Sequence, residues 1–460
     1  MRALLFFVAL FAGLLASMGR AVAQPAQWTL DRAVAESVKN YPSIRVSQEQ
    51  ISAASAAIQL ARTAYLPRVD ALAQVNRATR NNVFGLVLPQ SVIPSISGPV
   101  IGSNNFGTVW GSAAGALVTW EPFDFGLRDA NVAAASAARA HSEATLKRTQ
   151  FDVAVAASDA FLTLIAARET VRAAQAGVDR AEALLKVIAA RVSAQLRPGA
   201  DQARAEAELA AARTQLIQSQ QAVDVARATL SQFTGADPAQ IDAVPGQLLE
   251  PAPEREVPAL NAAAAPAMIE QNAAVEQAVA QLHALERSYF PRFYAQGSAF
   301  ARGSGADLNV VRQGGLNGLG PTVQDFAVGF TVTFPVMDFA ALRAREAGQS
   351  ASIRSERARG EQIAADLRGQ WNRAAAALNG ARRVSANTPV EVSSARAAAS
   401  QAKARYESGL GAIDDVAETQ RLLTVAEIDD ALARLGVWRG LLAVAAAAGD
   451  IEPFVAEATR

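Results

Sequence analysis

Few residues in this chain are suited to covalent or metal chemistry. It contains no cysteine and only two histidines, His141 and His283, which are isolated from each other and from any cluster of metal ligands. No glycine-rich loop stands ahead of a helix to hold a phosphate. These features argue against an enzyme, and we expect no catalytic residue, no cofactor and no metal.

Two carboxylates stand out because each follows a turn signal. Asp201 comes after the turn at residues 196–199, and Asp415 comes after the turn at residues 410–413. An acidic residue at such a place is typical of a helix N-cap, and that structural role is the alternative to any functional one for both residues. The two turns therefore mark the ends and beginnings of helices.

The chain contains an internal duplication. A shift of 214 residues places Asp124 on Asp338 and Asp201 on Asp415. No proline occurs between Leu127 and Arg197 in the first copy, which predicts one helix of about 70 residues, on the order of 100 Å long. A helix of that length exceeds what a globular core needs.

The long helix has the periodicity of a coiled coil. Its seam has an apolar residue at every seventh position, namely Leu164, Val171, Val178, Leu185 and Val192. The seven-residue spacing of apolar residues resumes after the turn with Leu209, Leu216, Val223 and Leu230. The returning helix of the second copy has the same spacing at Ile428, Leu435 and Leu442. Each copy is therefore predicted to form an antiparallel coiled-coil hairpin.

The N-terminus reads as a secretory signal peptide, residues 1–23, with cleavage after Ala23. Its apolar stretch is too short to span a bilayer, and no later run of 18 or more apolar residues lacks charges, so we expect no transmembrane helix. The 43 basic and 43 acidic residues balance, and a nucleic-acid partner is not expected.

Four segments alternate apolar and polar residues with period two, as strands do: residues 69–78, 109–120, 292–301 and 326–335. Aromatic residues at the ends of two segments suggest a girdle: Trp110, Trp120, Phe326 and Phe334. Ten tilted strand residues rise about 25 Å, the height of the apolar band of an outer-membrane barrel. A soluble sandwich can show the same alternation.

These features divide the chain into a first repeat at residues 24–240, with its tip at 196–201, and a second repeat at 266–449, with its tip at 410–415. Residues 241–265 form a proline-rich linker, and residues 450–460 a short C-terminal tail. Four strands cannot close a membrane barrel without leaving backbone groups unsatisfied at the edges. Several copies of the chain must then share one barrel.

Several motifs occur in a specific order: Leu30-Asp31-x-Ala33-Val34 with Asn40-Tyr41-Pro42, Ala64-Tyr65-Leu66-Pro67-Arg68-Val69, Trp120-x-x-Phe123-Asp124-Phe125-Gly126, Tyr406-Glu407-Ser408-Gly409 leading to Asp415-Val416, and the closing Leu441–Gly449. In this order the chain resembles the TolC-like outer-membrane efflux proteins over nearly its whole mature length. The resemblance implies a mainly α fold with a membrane β-barrel. In that fold a duplicated helix–helix–strand–strand–helix unit trimerises into a twelve-stranded barrel with a long periplasmic α-helical tunnel.

The resemblance also implies a function and partners. The chain would be the outer-membrane channel of a tripartite efflux pump or type I secretion system, with its tunnel in the periplasm of a Gram-negative cell. As a homotrimer in outer-membrane lipid, it would passively conduct cargo from an inner-membrane RND or ABC transporter through a periplasmic adaptor, the membrane fusion protein. A periplasmic coiled-coil adaptor or a structural protein is the alternative, and the cargo stays open.

Site residues follow from the same resemblance. In similar proteins, acidic residues at the positions of Asp415 and Glu418 line the constriction that closes the tunnel. The aromatic residue at Tyr406 and the acidic residue at Asp201 join links that hold the tips shut. Three symmetry-related carboxylates in a narrow pore attract cations. Cation-preferring conductance is therefore expected.

The turn residues are predicted to contact the adaptor: Leu196, Arg197, Gly199, Leu410, Gly411 and Ile413. Two departures from the family pattern concern the latch. The family's basic tip partner would fall at Gly411, and Gln195 stands where a glycine is common. Arg197 or Arg191 could replace the missing partner.

Overall fold

The computed structural model describes residues 27–79, 108–254, 257, 259–305 and 314–460. The predicted signal peptide lies outside the described residues, as do residues 80–107 and 306–313 and parts of the predicted linker.

The described elements follow the duplication, with two long helices and two shorter returning helices. In chain order they are β1 (Gln27–Trp28), α1 (Leu30–Asn40), α2 (Pro42–Thr63), β2 (Arg68–Thr79), β3 (Thr108–Phe123), α3 (Leu127–Ser193), α4 (Gly199–Thr234), β4 (Asp242–Ala243), α5 (Pro266–Arg287), β5 (Arg292–Ser304), β6 (Val323–Thr333), α6 (Phe339–Glu407), α7 (Ile413–Ala448) and α8 (Glu452–Thr459).

The chain divides into two units, and each draws on both repeats. The first, the helical unit, comprises the described residues within Met1–Gln48, Ala144–Glu270 and Glu361–Arg460. The second, the sheet unit, comprises the described residues within Glu49–Glu143 and Gln271–Gly360.

The core of the helical unit is built by the seam positions of the coiled coils. Leu164, Leu230 and Leu435 are buried in one cluster with Trp438, which is 1% exposed and donates its indole N–H to the Glu250 carbonyl at 3.2 Å. Burying a tryptophan ring typically contributes several times the free energy that burying an alanine side chain does. The large residues therefore stabilise the alanine-rich stretches between them.

Two short elements close this core in ways that the periodicity did not indicate. β1 pairs in parallel with β4, which places Trp28 opposite Ala243. Residues 450–460, predicted only as a tail, include α8, whose Phe454 and Ala458 are buried in the same cluster. Both ends of the described chain are thereby packed onto the helical unit.

The second long helix continues through a proline. Pro389 lies inside α6 and cannot donate the backbone hydrogen bond that a helix interior requires. The neighbouring Thr388 is buried and donates its hydroxyl to Asp430 of α7 at 2.8 Å. This contact between the helices supports α6 where its own hydrogen bonding is interrupted.

The sheet unit contains one antiparallel sheet in the order β2-β3-β5-β6. The central pair β3–β5 joins the two repeats, with Ala116 opposite Ala299 and an irregularity in register between Trp120 and Phe123. Within the described residues, β2 and β6 are edge strands with only one neighbour each.

Among the described residues, two helices, α3 and α7, contain an 18-residue stretch that is long and apolar enough to cross a bilayer by composition alone, and half of each stretch is buried within the structure. Packed core helices commonly have this composition, and this burial is consistent with a role in the helical core.

Candidate functional site

The first hairpin tip is shaped by a left-handed residue. Gln195 has φ 59° and donates its backbone N–H to the Val192 carbonyl at 2.9 Å, while Leu196 donates to the Arg191 carbonyl at 2.9 Å. This pair of bonds is the Schellman motif that ends many helices. Gln195 therefore adopts a conformation that usually belongs to glycine.

The second tip has the same motif with a glycine in that place. Gly409 has φ 81° and donates to the Tyr406 carbonyl at 3.1 Å, and Leu410 donates to the Arg405 carbonyl at 2.9 Å. The tips match under the 214-residue shift even though Gln195 replaces the glycine.

We expect Gly409→Ala to destabilise the second tip by about 1 kcal/mol, because a side chain disfavours the left-handed region. A Cβ at Gly409 would meet no atom within 4 Å, so the cost is a backbone cost alone. Amide hydrogen exchange of the tip measures it. Gly199→Ala, equally unobstructed but without a positive φ, is the control; an equal loss there would contradict the explanation.

Tyr406 is the centre of the paired tips. Its side chain is fully buried in a cluster with Ile188, Ala205 and Val416, and its hydroxyl donates to Asp201 Oδ2 at 3.2 Å. Burial, followed by the charge and hydrogen bond of Asp201, raises the pKa of Tyr406 above its ordinary value. The phenol is therefore neutral at physiological pH and acts as the donor in this bond.

Two guanidinium groups of the first hairpin, those of Arg191 and Arg197, lie at the C-terminal end of α6. Arg197 Nη2 donates to the Tyr406 carbonyl at 3.1 Å, and Arg191 Nη1 donates to the same oxygen at 3.3 Å. Arg191 Nη2 also donates to the Glu407 carbonyl at 3.1 Å. The last carbonyls of a helix carry partial negative charge, so cations are favourable there.

The same arginines lie over the aromatic ring. The guanidinium of Arg197 is 4.5 Å from the Tyr406 ring centroid, and that of Arg191 is 5.8 Å away. Both distances are within cation–π range. We name Arg191, Arg197 and the Tyr406 carbonyl they share the arginine clamp.

The structure also explains why a side chain at position 411 is unfavourable. A Cβ at Gly411 would lie 3.2 Å from the Tyr406 backbone nitrogen and 3.3 Å from the Arg405 carbonyl carbon. A side chain at position 411, where the resemblance places the family's basic residue, would therefore crowd the backbone of α6. The positively charged groups at this end of α6 are instead those of Arg191 and Arg197 in the first hairpin.

The alternative role of Asp201 and Asp415 as helix N-caps is not observed. The N-caps of α4 and α7 are Pro198 and Ala412, and neither makes a side-chain capping bond. Asp201 and Asp415 lie instead in the first turns of these helices, where a carboxylate favourably faces the helix dipole. Each helix begins before its aspartate, at Gly199 and at Ile413, so the aspartate lies inside the first turn and not at the cap.

The predicted gate carboxylates differ in their partners. Glu418 is exposed and accepts from Arg421 Nη2 at 2.7 Å, within a salt bridge on the same helix. Asp415 is exposed, and its carboxylate has no partner in the described part of the chain. Asp414 pairs with Arg204 at 2.7 Å, so Asp415 is the acid left free at this helix start.

The predicted adaptor contacts separate into exposed and buried residues. Leu196 and Leu410 are 72% and 76% exposed, as expected for contacts. Ile413, predicted to be an exposed contact, is only 7% exposed and packs in the Tyr406 cluster. The predicted exposure of Ile413 is wrong, because the first residue of α7 turns inward toward the paired hairpin, and its contact with an adaptor stays a prediction.

A separate candidate surface lies on the sheet. On β6, alternate residues are apolar and largely exposed: Phe326 83%, Val328 84%, Phe330 64% and Val332 51%. Their partners on β5 are Ala299, Gly297, Ala295 and Phe293, which share the same face. Trp110, Trp120, Val69 and Val75 continue this face on β3 and β2. We call it the apolar face.

The opposite face of the sheet has mainly polar and small residues. Gln296 and Ser298 of β5 lie opposite Gly329 and Ala327, and Asp70 of β2 lies opposite Leu117. One apolar and one polar face is the pattern of a strand between lipid and a watery interior.

The aromatic residues of the predicted girdle lie partly on this face. Trp110, Trp120 and Phe326 belong to it, whereas Phe334 follows the last residue of β6. The sequence analysis missed a cluster where the strands meet the helices: Phe123, Phe125, Phe290, Phe293 and Phe330, with ring centroids 4.6–6.0 Å apart. The phenylalanines at the strand ends were the available signal.

The family described as Outer membrane efflux protein matches residues 33–236 and 258–450. The chain belongs to this family. The two matched segments correspond to the two copies of the duplication, and the family consists of channel proteins rather than enzymes.

Solved structures of similar proteins agree with this membership. A membrane protein from Pseudomonas aeruginosa has a TM-score of 0.72 and 21% identity, covering 92% of this chain and 90% of that one. The CmeC outer membrane channel of Campylobacter jejuni has a TM-score of 0.70 and 15% identity, covering 91% and 85%. The open MtrE outer membrane channel of Neisseria gonorrhoeae has a TM-score of 0.68 and 18% identity, covering 92% and 89%. No curated protein sequence matches the chain.

The outer membrane efflux family and its TolC-like fold are therefore confirmed for this chain. The predicted function of an outer-membrane efflux channel in the Gram-negative envelope is confirmed at the level of the family. The repeat limits and the roles of the individual site residues stay predictions.

Proposed function

We propose that three copies of this chain form one outer-membrane channel, through which a tripartite efflux pump or type I secretion system exports its cargo. The observation that supports it most is the apolar face on a sheet whose edge strands, β2 and β6, have no second neighbour among the described residues. Unsatisfied edge groups in lipid are costly, and pairing β6 of one copy with β2 of the next removes every edge.

Cysteine crosslinking tests this assembly, because the natural chain has no cysteine. We would place one cysteine on β2 and one on β6, for example Val69→Cys with Val332→Cys, and treat membranes with bismaleimides of increasing length. A ladder ending at the trimer is expected. Val118→Cys with Gly297→Cys, which face each other within one chain, is the control and gives no ladder. A water-soluble monomer without pore activity would contradict the proposal.

The tips supply the gate of this proposed channel. The Tyr406–Asp201 bond, the arginine clamp and the Arg204–Asp414 pair all join the first hairpin to the second. Opening the tips requires these contacts to separate. Leu196 and Leu410, with Arg197, Gly199 and Gly411 beside them, form the surface offered to a periplasmic adaptor, which connects the channel to an inner-membrane RND or ABC transporter.

We expect Asp415→Asn to reduce cation selectivity more than Glu418→Gln. The charge of Glu418 is offset by Arg421, whereas Asp415 has no ion-pair partner among the residues that the structure describes. A carboxylate and a permeating cation 4 Å apart in bulk water attract each other by about 1 kcal/mol. Loss of one charge should therefore lower the cation-to-anion permeability ratio by about fivefold. Reversal potentials in planar bilayers measure it.

Asp429→Asn is the matched control for selectivity, since Asp429 is exposed on the same helix but lies 14 positions beyond Asp415. It should leave the reversal potential unchanged. Equal losses from Asp415→Asn and Asp429→Asn would show a diffuse charge effect and remove Asp415 from the gate.

A further inference from the structure

The apolar face continues beyond the strands at one end of the sheet. At this end, which we call the helix-side border, β6 leads into α6 and α5 leads into β5. Past the last paired residue of β6, Phe334, Val336, Met337 and Phe339 are 58%, 63%, 84% and 50% exposed. The phenylalanine cluster lies at the same border and joins it to the apolar face through Phe293 and Phe330.

Two arginines stand at this border beside aromatic rings. The guanidinium of Arg287 is 5.8 Å from the ring centroid of Phe290, and that of Arg343 is 5.7 Å from that of Phe339. Phe290 stacks on Phe125 at 5.4 Å within the cluster. Across the described residues, neither arginine has a carboxylate within salt-bridge distance. Their charges are therefore available to an outside group.

The two arginines belong to one neighbourhood. Tyr289, two residues after Arg287, donates its hydroxyl to Glu346 Oε2 at 3.3 Å, one helical turn after Arg343. Burial and then Glu346 raise the pKa of Tyr289, and the nearby charge of Arg343 acts in the opposite direction. Glu346 is engaged by this bond, which leaves Asp338 as the exposed acid at the start of α6.

The corresponding place in the first repeat has the opposite character. Under the 214-residue shift Asp129 occupies the position of Arg343, and it accepts from the Tyr65 hydroxyl. Arg128 is tied to the buried Asp124 at 2.9 Å. The first turn of α3 contains the acidic Asp129, whereas the first turn of α6 contains no acidic residue and is directly preceded by Asp338.

We propose that Arg287 and Arg343 bind the phosphate of an anionic phospholipid at the helix-side border, one site in each chain. The inference rests on the proposed membrane role of the apolar face. Arginine offers a planar fork of donors that matches phosphate oxygens, and Tyr289 beside Arg287 is of a residue type enriched at the level of the lipid headgroups. The exposed Met337 and Phe339 extend the apolar contact to the acyl chains.

The test reconstitutes the full-length trimer in nanodiscs of phosphatidylcholine containing phosphatidylglycerol, then releases it for native mass spectrometry to count retained phosphatidylglycerol. Each arginine near an anionic surface contributes about fivefold in binding. Arg287→Gln with Arg343→Gln should therefore reduce retention by up to about 30-fold. Arg354→Gln with Arg357→Gln, two exposed arginines farther along α6 in the same unit, should leave it unchanged.

Unchanged retention in the Arg287/Arg343 double variant, or an equal loss in the control, would overturn the lipid site. So would competition by millimolar inorganic phosphate, because that result assigns the arginines to a soluble anion. Insertion and trimer formation are recorded for every variant. If the unaltered chain itself fails to insert, the proposed channel fails, and the lipid site with it; insertion without retention rejects the lipid site alone.

Discussion

Val328→Arg should prevent stable insertion of this chain into the membrane. Val328 is 84% exposed in the middle of the apolar face, opposite Gly297 of β5. An arginine on the lipid face near the bilayer midplane costs about 2 to 4 kcal/mol, and each copy in a trimer would bear that cost. The expected result is loss of the trimer from outer-membrane fractions, measured by membrane fractionation and by its migration without heating.

Ala327→Arg is the matched control, because Ala327 is the preceding residue on the same strand and points to the opposite face, opposite Ser298. An arginine in a watery interior keeps its hydration, so insertion should persist while conductance changes. Tolerance of Val328→Arg together with intolerance of Ala327→Arg would invert the assignment of the two faces and would contradict the proposed membrane wall.

Arg191→Ala combined with Arg197→Ala should unlatch the tips. Both guanidinium groups donate to the Tyr406 carbonyl, and one also donates to that of Glu407. Charge-assisted hydrogen bonds contribute about 1.5 to 3 kcal/mol when buried, and both arginines are partly exposed, so we take roughly 1 kcal/mol each. The open population should rise by about 30-fold, seen as larger and more frequent openings in planar bilayers.

Two variants isolate the clamp from other contacts. Tyr406→Phe retains the carbonyl and the ring but loses the bond to Asp201, so it should open the tips less than the double arginine variant. Arg204→Ala removes an exposed pair with Asp414 and should have little effect. If Arg204→Ala opened the channel as much as the double variant, general loss of positive charge, and not the clamp, would explain the opening.

The sequence by itself determined the repeated architecture. Heptads such as those through Leu164 and Leu435, and the alternation through Val328 and Phe330, are local patterns whose periods match helix and strand geometry. Because the two copies coincide under the 214-residue shift, each element predicted in one copy could be compared with its equivalent in the other. Because the strands are too few to close in lipid, the sequence also implied assembly from several chains.

The tertiary structure alone decided which side chains meet. The clamp joins residues more than 200 positions apart, and no period could indicate that Arg191 and Arg197 share one carbonyl. It also decided that Ile413 is buried and that Asp201 lies inside α4. Such partners depend on how two hairpins pack, and packing is set by shape and burial across the fold; local propensity determines only where each helix runs.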